Sequence, residues 1–291
     1  MFDFRYHAIS LVAVFLALGI GILLGVTIGD SLVSQADRGL RDSLRGDVVE
    51  AREERALASD NVEHRDQLIE DALPMLAGGR IPGERVALIG VGGLPDGMVA
   101  SVRQAVEVGG AELGSVSSFP TPPVTEDLAE VVGGRFQNAD EDPPLASALG
   151  RRVARAILDG DRLAARLAEE VPDQFEGDFQ GATAVVFHHA PADPPSPDAE
   201  AFESAMLDAL AASDARTVGV EESDTDPSQI SFYSTRGLPS VDSVETPGGR
   251  VALVFALGGA DGAFGFKDTA DAPLPDPPPE PSGNGRGRPG R

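Results

Sequence analysis

Apolar residues run without a charge from Ala8 to Ile28 (AISLVAVFLALGIGILLGVTI), between Arg5 and Asp30. As a helix this stretch reaches roughly 31 Å, which matches a bilayer core of about 30 Å. Ser10 and Thr27 are its only hydroxyls, one near each end, so the run predicts a membrane-embedded helix. Ala13, Ala17, Gly21, Gly25 and Gly29 recur at every fourth position and would form one ridge of small side chains. Such ridges let helix backbones approach closely in lipid, and this one predicts a homodimer or higher homo-oligomer. A cleaved signal peptide is the competing reading, with Ser34-Gln35-Ala36 as a small-x-small site. Against it, Arg5 is offset by Asp3 and the apolar run exceeds the roughly 7 to 15 residues of a signal core, which favours a retained anchor over residues 1–29.

From Asp30 to Leu73 there is no proline, and Arg, Asp and Glu alternate with apolar residues at helical spacing. The positions 48, 55, 62, 69 and 51, 58, 65, 72 form two heptad columns, interrupted by Arg55 and Arg65. Leu40, Leu44 and Val48 add a four-residue step of the kind that locally unwinds a supercoil. The expectation for residues 30–73 is a short, imperfect coiled-coil stalk, parallel if it pairs; a charged, solvated helix fits the same composition.

Pro74, Gly78-Gly79 and Pro82-Gly83 end that regime. Arg85–Val91 (RVALIGV) reads as a strand buried on both faces, Asp96–Val108 as a helix and Glu112–Phe119 as a second strand, together a β-α-β unit. After Pro120, Pro122 and Pro123 comes a helical region whose clearest amphipathic part is Leu145–Glu170. Strands are expected at Ala182–His188, Arg216–Val220 and Ser240–Val244, with a helix at Pro197–Ala212. Thr246 is placed to cap a final helix with Pro247 in its first turn. The alternation gives an α/β class with an open, mostly parallel sheet over residues 84–271. From Ala272 onward the Pro/Gly-rich sequence has too few apolar groups to offset the entropy of ordering, so 272–291 is expected to be a disordered tail.

Composition narrows the partners. The net charge of −24 disfavours nucleic acid. There is no cysteine, which excludes disulfides and thiolate chemistry, and the four methionines form no motif. Lys267 is the only lysine, a bias we ascribe to composition.

Most motifs of known chemistry are missing from the sequence. Pro95 stands where a GxGxxG loop counted from Gly90 needs its third glycine, and neither a P-loop nor a GxSxG elbow occurs. No catalytic residue and no cofactor are assigned, and the chain is not read as an enzyme. His188 and His189 end a parallel strand, where open α/β sheets place ligands, and with Asp193 they are the metal candidates. Adjacent strand residues face opposite sides, so the pair cannot chelate one ion within the strand.

The opening FRYHAISLVAVFLALGIGILLG and the later GLPSVDSVETPGGRVALVFALGGADGAFGFK, followed by APLP, resemble the actinobacterial copper transporter family. Its motif residues here are Val241, Asp242, Val244, Thr246 and Gly249. The resemblance implies copper transport and homeostasis at the cell envelope, an outer-membrane location, and an amino terminus inside with the head outside. The positive-inside count, Arg5 against Arg38, Arg41 and Arg45, does not itself set the orientation. A channel needs several spanning helices or a closed barrel. The sequence offers one helix and no series of alternating amphipathic strands, so a pathway calls for an oligomer. A second reading is a bitopic envelope scaffold whose stalk and head dock a partner protein without handling metal.

Overall fold

The computed structural model describes residues 4–171, 173–191, 194 and 196–276; for 4–6 and 26–45 it describes the helix but not the side chains. The expected tail from 277, the candidate Asp193, and the side chains of the stalk's first part and of position 29 lie outside the described residues. The chain divides into two units, Met1–His64 and Arg65–Arg291.

Helix α1, Phe4–Ala77, contributes the described part of the first unit and enters the second. Its segment His7–Gly25 is long and apolar enough to cross a membrane. Ile9, Leu11, Val14, Phe15 and Leu18 are all more than half exposed. Ala13, Ala17, Gly21 and Gly25 lie on this bare segment. Farther along, Val48, Leu57 and Val62 are exposed as well, and a coiled-coil pairing remains an expectation.

The second unit is a three-layer α/β/α domain. After α1 come β1 (Arg85–Val91), α2 (Asp96–Val108), β2 (Glu112–Phe119), α3 (Glu126–Val132), a 3-10 turn (Gly134–Phe136) and α4 (Pro143–Asp159). Then follow α5 (Arg162–Glu170), β3 (Gln174–Gly177), β4 (Ala184–His189), α6 (Pro197–Ala211) and β5 (Arg216–Val220). The last elements are α7 (Ile230–Ser234), β6 (Ser240–Val241), α8 (Pro247–Leu257) and β7 (Ala263–Phe264). The sheet order is β3-β2-β1-β4-β5-β6-β7, and only the β2–β3 pair is antiparallel.

Period-two alternation divides the strands between two cores. Ile89, Val91, Val185 and Phe187 face α3 to α7, packing with Leu149, Val153, Phe202 and Met206. Val86, Leu88, Val186 and Val218 face α2, α8 and the last turns of α1, packing with Leu73, Ala77, Val102 and Leu253. Because the strands are covered on both sides, they read as continuous apolar runs, and β1, β2 and β5 fall where the sequence places them. Local chemistry starts the helices: Asp161 accepts from Leu163 N and Ala164 N at 2.8 and 3.0 Å, and Thr246 from Gly249 N at 3.0 Å.

Five details differ from expectation. Helix α1 does not end before Pro74 but runs through it to Ala77. The amphipathic run Leu145–Glu170 is two helices, α4 closing on Gly160 in the left-handed region and α5 restarting on the Asp161 cap. The strand expected at Ala182 begins at Ala184 and runs to His189. The strand expected over Ser240–Val244 has only two residues, because the chain turns at Ser243, whose φ is +52°. Ala272, the first residue of the expected tail, still pairs with Phe264, and Gly265 N donates to Ala272 O at 3.0 Å.

The end of α1 is built into the head. Leu73 and Ala77 are buried, and Glu70 accepts from Arg250 on α8 and from Gln104 on α2. Leu73→Ala is expected to destabilise the head by about 2 to 5 kcal/mol. Hydrogen exchange should show the turns from 65 to 77 losing protection before β1 and β4 do.

Candidate functional site

In an open α/β sheet the ligand crevice lies at the carboxyl ends of the strands, where the strand order reverses. Here that place is between β1 and β4, and it is closed. The ladder continues past both strands, with Gly92 N donating to Phe119 O at 3.1 Å and Ala190 N to Val91 O at 2.8 Å. A side chain at Gly92 would collide with Ala190 O, so the glycine-rich turn packs against backbone rather than cradling a phosphate.

The polar groups sit beside this point and are buried. His188 and His189 end β4 on opposite faces, as strand geometry requires. His188 Nδ1 donates to Val220 O at 3.2 Å, and the same carbonyl accepts from Tyr233 OH at 3.3 Å. Burial holds the His188 imidazole below its ordinary range; the bond to Val220 O and the charge of Glu221 oppose this, while His189 adds to it.

His189 lies on the α6 side. Gln229 Nε2 donates to Pro227 O at 2.7 Å, which turns Gln229 Oε1 toward His189 Nδ1 at 2.9 Å and assigns the Nδ1 hydrogen. His189 Nε2 lies 2.7 Å from Glu203 Oε2, so a single proton is shared between them. Phe232 stacks on the imidazole at 4.3 Å between centroids, and Arg236 covers Phe232 at 4.2 Å. Glu203 is 3% exposed, and its Oε1 has no hydrogen-bond partner among the described residues. A pocket of about 180 Å³ opens here, lined by His189, Pro191, Ser196, Ala199, Glu200, Glu203 and Phe232. A larger cavity of about 610 Å³, beside Arg151 and Arg155, opens at the other end of the strands near Ala182 and Ala215, away from this chemistry. Among the described residues no three His, Cys, Asp or Glu side chains gather as a metal cluster.

The motif residues form a second polar cluster at the end of β6. Asp242 is fully buried; its Oδ1 accepts from Phe266 N and Ser243 Oγ, both at 2.7 Å, and its Oδ2 from Lys267 N at 3.0 Å. This clamp delivers Lys267, whose Nζ donates to Glu221 Oε1 and Thr225 O, both at 2.8 Å. Glu221 also accepts from Ser228 Oγ at 2.7 Å and from Gln229 N. Val241 and Val244 belong to the core, Thr246 caps α8, and a side chain at Gly249 would collide with Ser243 O. The motif is therefore an architectural device: it turns the chain from β6 into α8 and holds the loop after β7.

Sequence reading missed Glu203, Gln229, Glu221 and the use made of Lys267. Two signals were present: Lys267 is the sole lysine, and Glu203 interrupts the otherwise apolar positions Ala199, Phe202, Ala205 and Met206 of one helix.

Two tests follow from this geometry. Lys267→Met strands a buried carboxylate and is expected to cost about 3 to 5 kcal/mol in chemical denaturation. For His188, the unfolded chain takes up a proton near pH 6.5 that the folded chain resists. Its contribution to stability is complete above that pH and declines as pH falls toward the lowered folded value. His188→Gln should flatten this part of the Tm profile.

The sequence profile of the family described as "Copper transport outer membrane protein, MctB" matches residues 1–275, and the chain belongs to that family of copper-transport membrane proteins. No curated protein matches the chain.

Proposed function

From this membership, we propose that the protein serves copper homeostasis as a self-associating, single-pass anchored protein of the cell envelope, and that one chain by itself is not the channel. The observation that carries the reading is α1. Between His7 and Gly25 it is apolar on every side and bare, which suits lipid and not water. One helix encloses no pathway, so passage of an ion through such helices requires several copies or a partner. Ala13, Ala17, Gly21 and Gly25 supply a surface for close helix contact, and farther along the helix the exposed Val48 and Val62 flank Arg55 in one heptad column. In this reading the amino terminus is cytoplasmic and the head lies outside. The scaffold alternative, in which the head only docks a partner, uses the same anchor and differs in whether the head handles metal.

The absence of native cysteine makes the test clean. Val62→Cys in the full chain should give an intermolecular disulfide in membranes under mild oxidation, and adding Gly21→Ile with Gly25→Ile should reduce it severalfold. A Val62→Cys chain that stays monomeric would overturn the self-association. Labelling of the same cysteine in intact cells by an impermeant maleimide reports the orientation, and protection from the label would place the head inside.

A further inference from the structure

The arrangement around His189 has the form of a metal ligand and its support. A metal-bound imidazole donates its other ring hydrogen to a fixed acceptor, which sets the tautomer and the ring plane. His189 does this through Nδ1 to Gln229 Oε1, and Gln229 is itself fixed on Pro227 O. The nitrogen left for a ligand, Nε2, faces Glu203 Oε2 at 2.7 Å. That separation is the length of a hydrogen bond, so an ion bound to both atoms must displace the shared proton and meet them from the side, at about 2.0 Å from each. The remaining oxygen, Glu203 Oε1, is buried with no donor among the described residues, which leaves its desolvation uncompensated by them.

We propose that His189 and Glu203 form an imidazole–carboxylate docking site for divalent copper, opening on the 180 Å³ pocket beside α6. The inference rests on the copper reading of the family and not on self-association. Nitrogen and oxygen donors suit Cu(II), whereas Cu(I) favours the thiolate and thioether groups this chain does not assemble. Binding replaces the proton shared by Nε2 and Oε2, which leaves to solvent. Two protein donors are few, and the other positions on the ion fall to water in the pocket, where Ser196 and Glu200 form part of the wall. A site with open positions suits a cargo ion that must also leave. His188, on the opposite face, takes no part.

The test is titration of the detergent-solubilised full chain with Cu(II) alone, in a non-coordinating buffer, followed by electron paramagnetic resonance. The expected result is one saturable Cu(II) per chain with coupling to an imidazole nitrogen, lost in His189→Gln and at least about tenfold weaker in Glu203→Gln. Gln229→Ala should weaken binding by about 10- to 100-fold, while His188→Gln and His64→Gln leave the signal unchanged. An unaltered signal in His189→Gln, or no saturable binding at micromolar metal, overturns the site. If His189→Gln loses its circular-dichroism melt, the wild-type chain decides: substoichiometric Cu(II) must broaden the His189 ring resonances before those of His188, and equal broadening overturns the proposal. A monomeric result in the cysteine cross-linking leaves this outcome untouched.

Discussion

The buried carboxylate of Glu221 is the constraint on which the functional end of the head depends. It has no solvent exposure, and a charge in that position is tolerated only with a paired cation and full hydrogen bonding. Lys267 supplies the cation, Asp242 holds the backbone that presents Lys267, and Ser228 Oγ and Gln229 N donate to the same carboxylate. Gln229 then passes the constraint on, because its side chain fixes the tautomer of His189, and His189 in turn engages Glu203. A continuous polar chain thus links the loop after β7 to α6 across the ends of β4, β5 and β6. Such networks specify one arrangement because each unsatisfied member is costly.

This chain explains how a motif without chemistry can matter for a site. Asp242, Thr246 and Gly249 do not line the His189 pocket, yet Asp242 holds the loop that brings Lys267 to Glu221, while Thr246 and Gly249 shape the turn from β6 into α8. At the crevice usual for open sheets Ala190 N bonds Val91 O and Gly92 packs against Ala190, and the pocket lies to one side, against α6. In the proposed function the membrane helix gathers the chains, and the end of α1 is tied to α2 and α8 through Glu70, Gln104 and Arg250.

The hydrophobic pattern was legible wherever burial alone decides structure. β1, α2, β2, β5, the long apolar segment of α1 and the capped start of α8 follow from the pattern of apolar positions and from Thr246-Pro247. What escaped was governed by pairing across distance: β3 and β7 are short edge elements whose strand state comes from their neighbours, and α7 has only five residues. Gly160 divides a single amphipathic pattern into two helices because a left-handed residue stops α4 without disturbing the periodicity on either side.

By itself, then, the sequence determined an apolar helix long enough to cross a membrane, the α/β class and the separation of His188 from His189, since each follows from a local run or repeat of apolar positions. Only the tertiary structure decided which polar groups meet. Glu203 lies 14 residues from His189, Gln229 lies 40 away, and Lys267 lies 46 from Glu221. No local repeat encodes such separations; they are fixed by strand order and by the need of each buried charge for a partner.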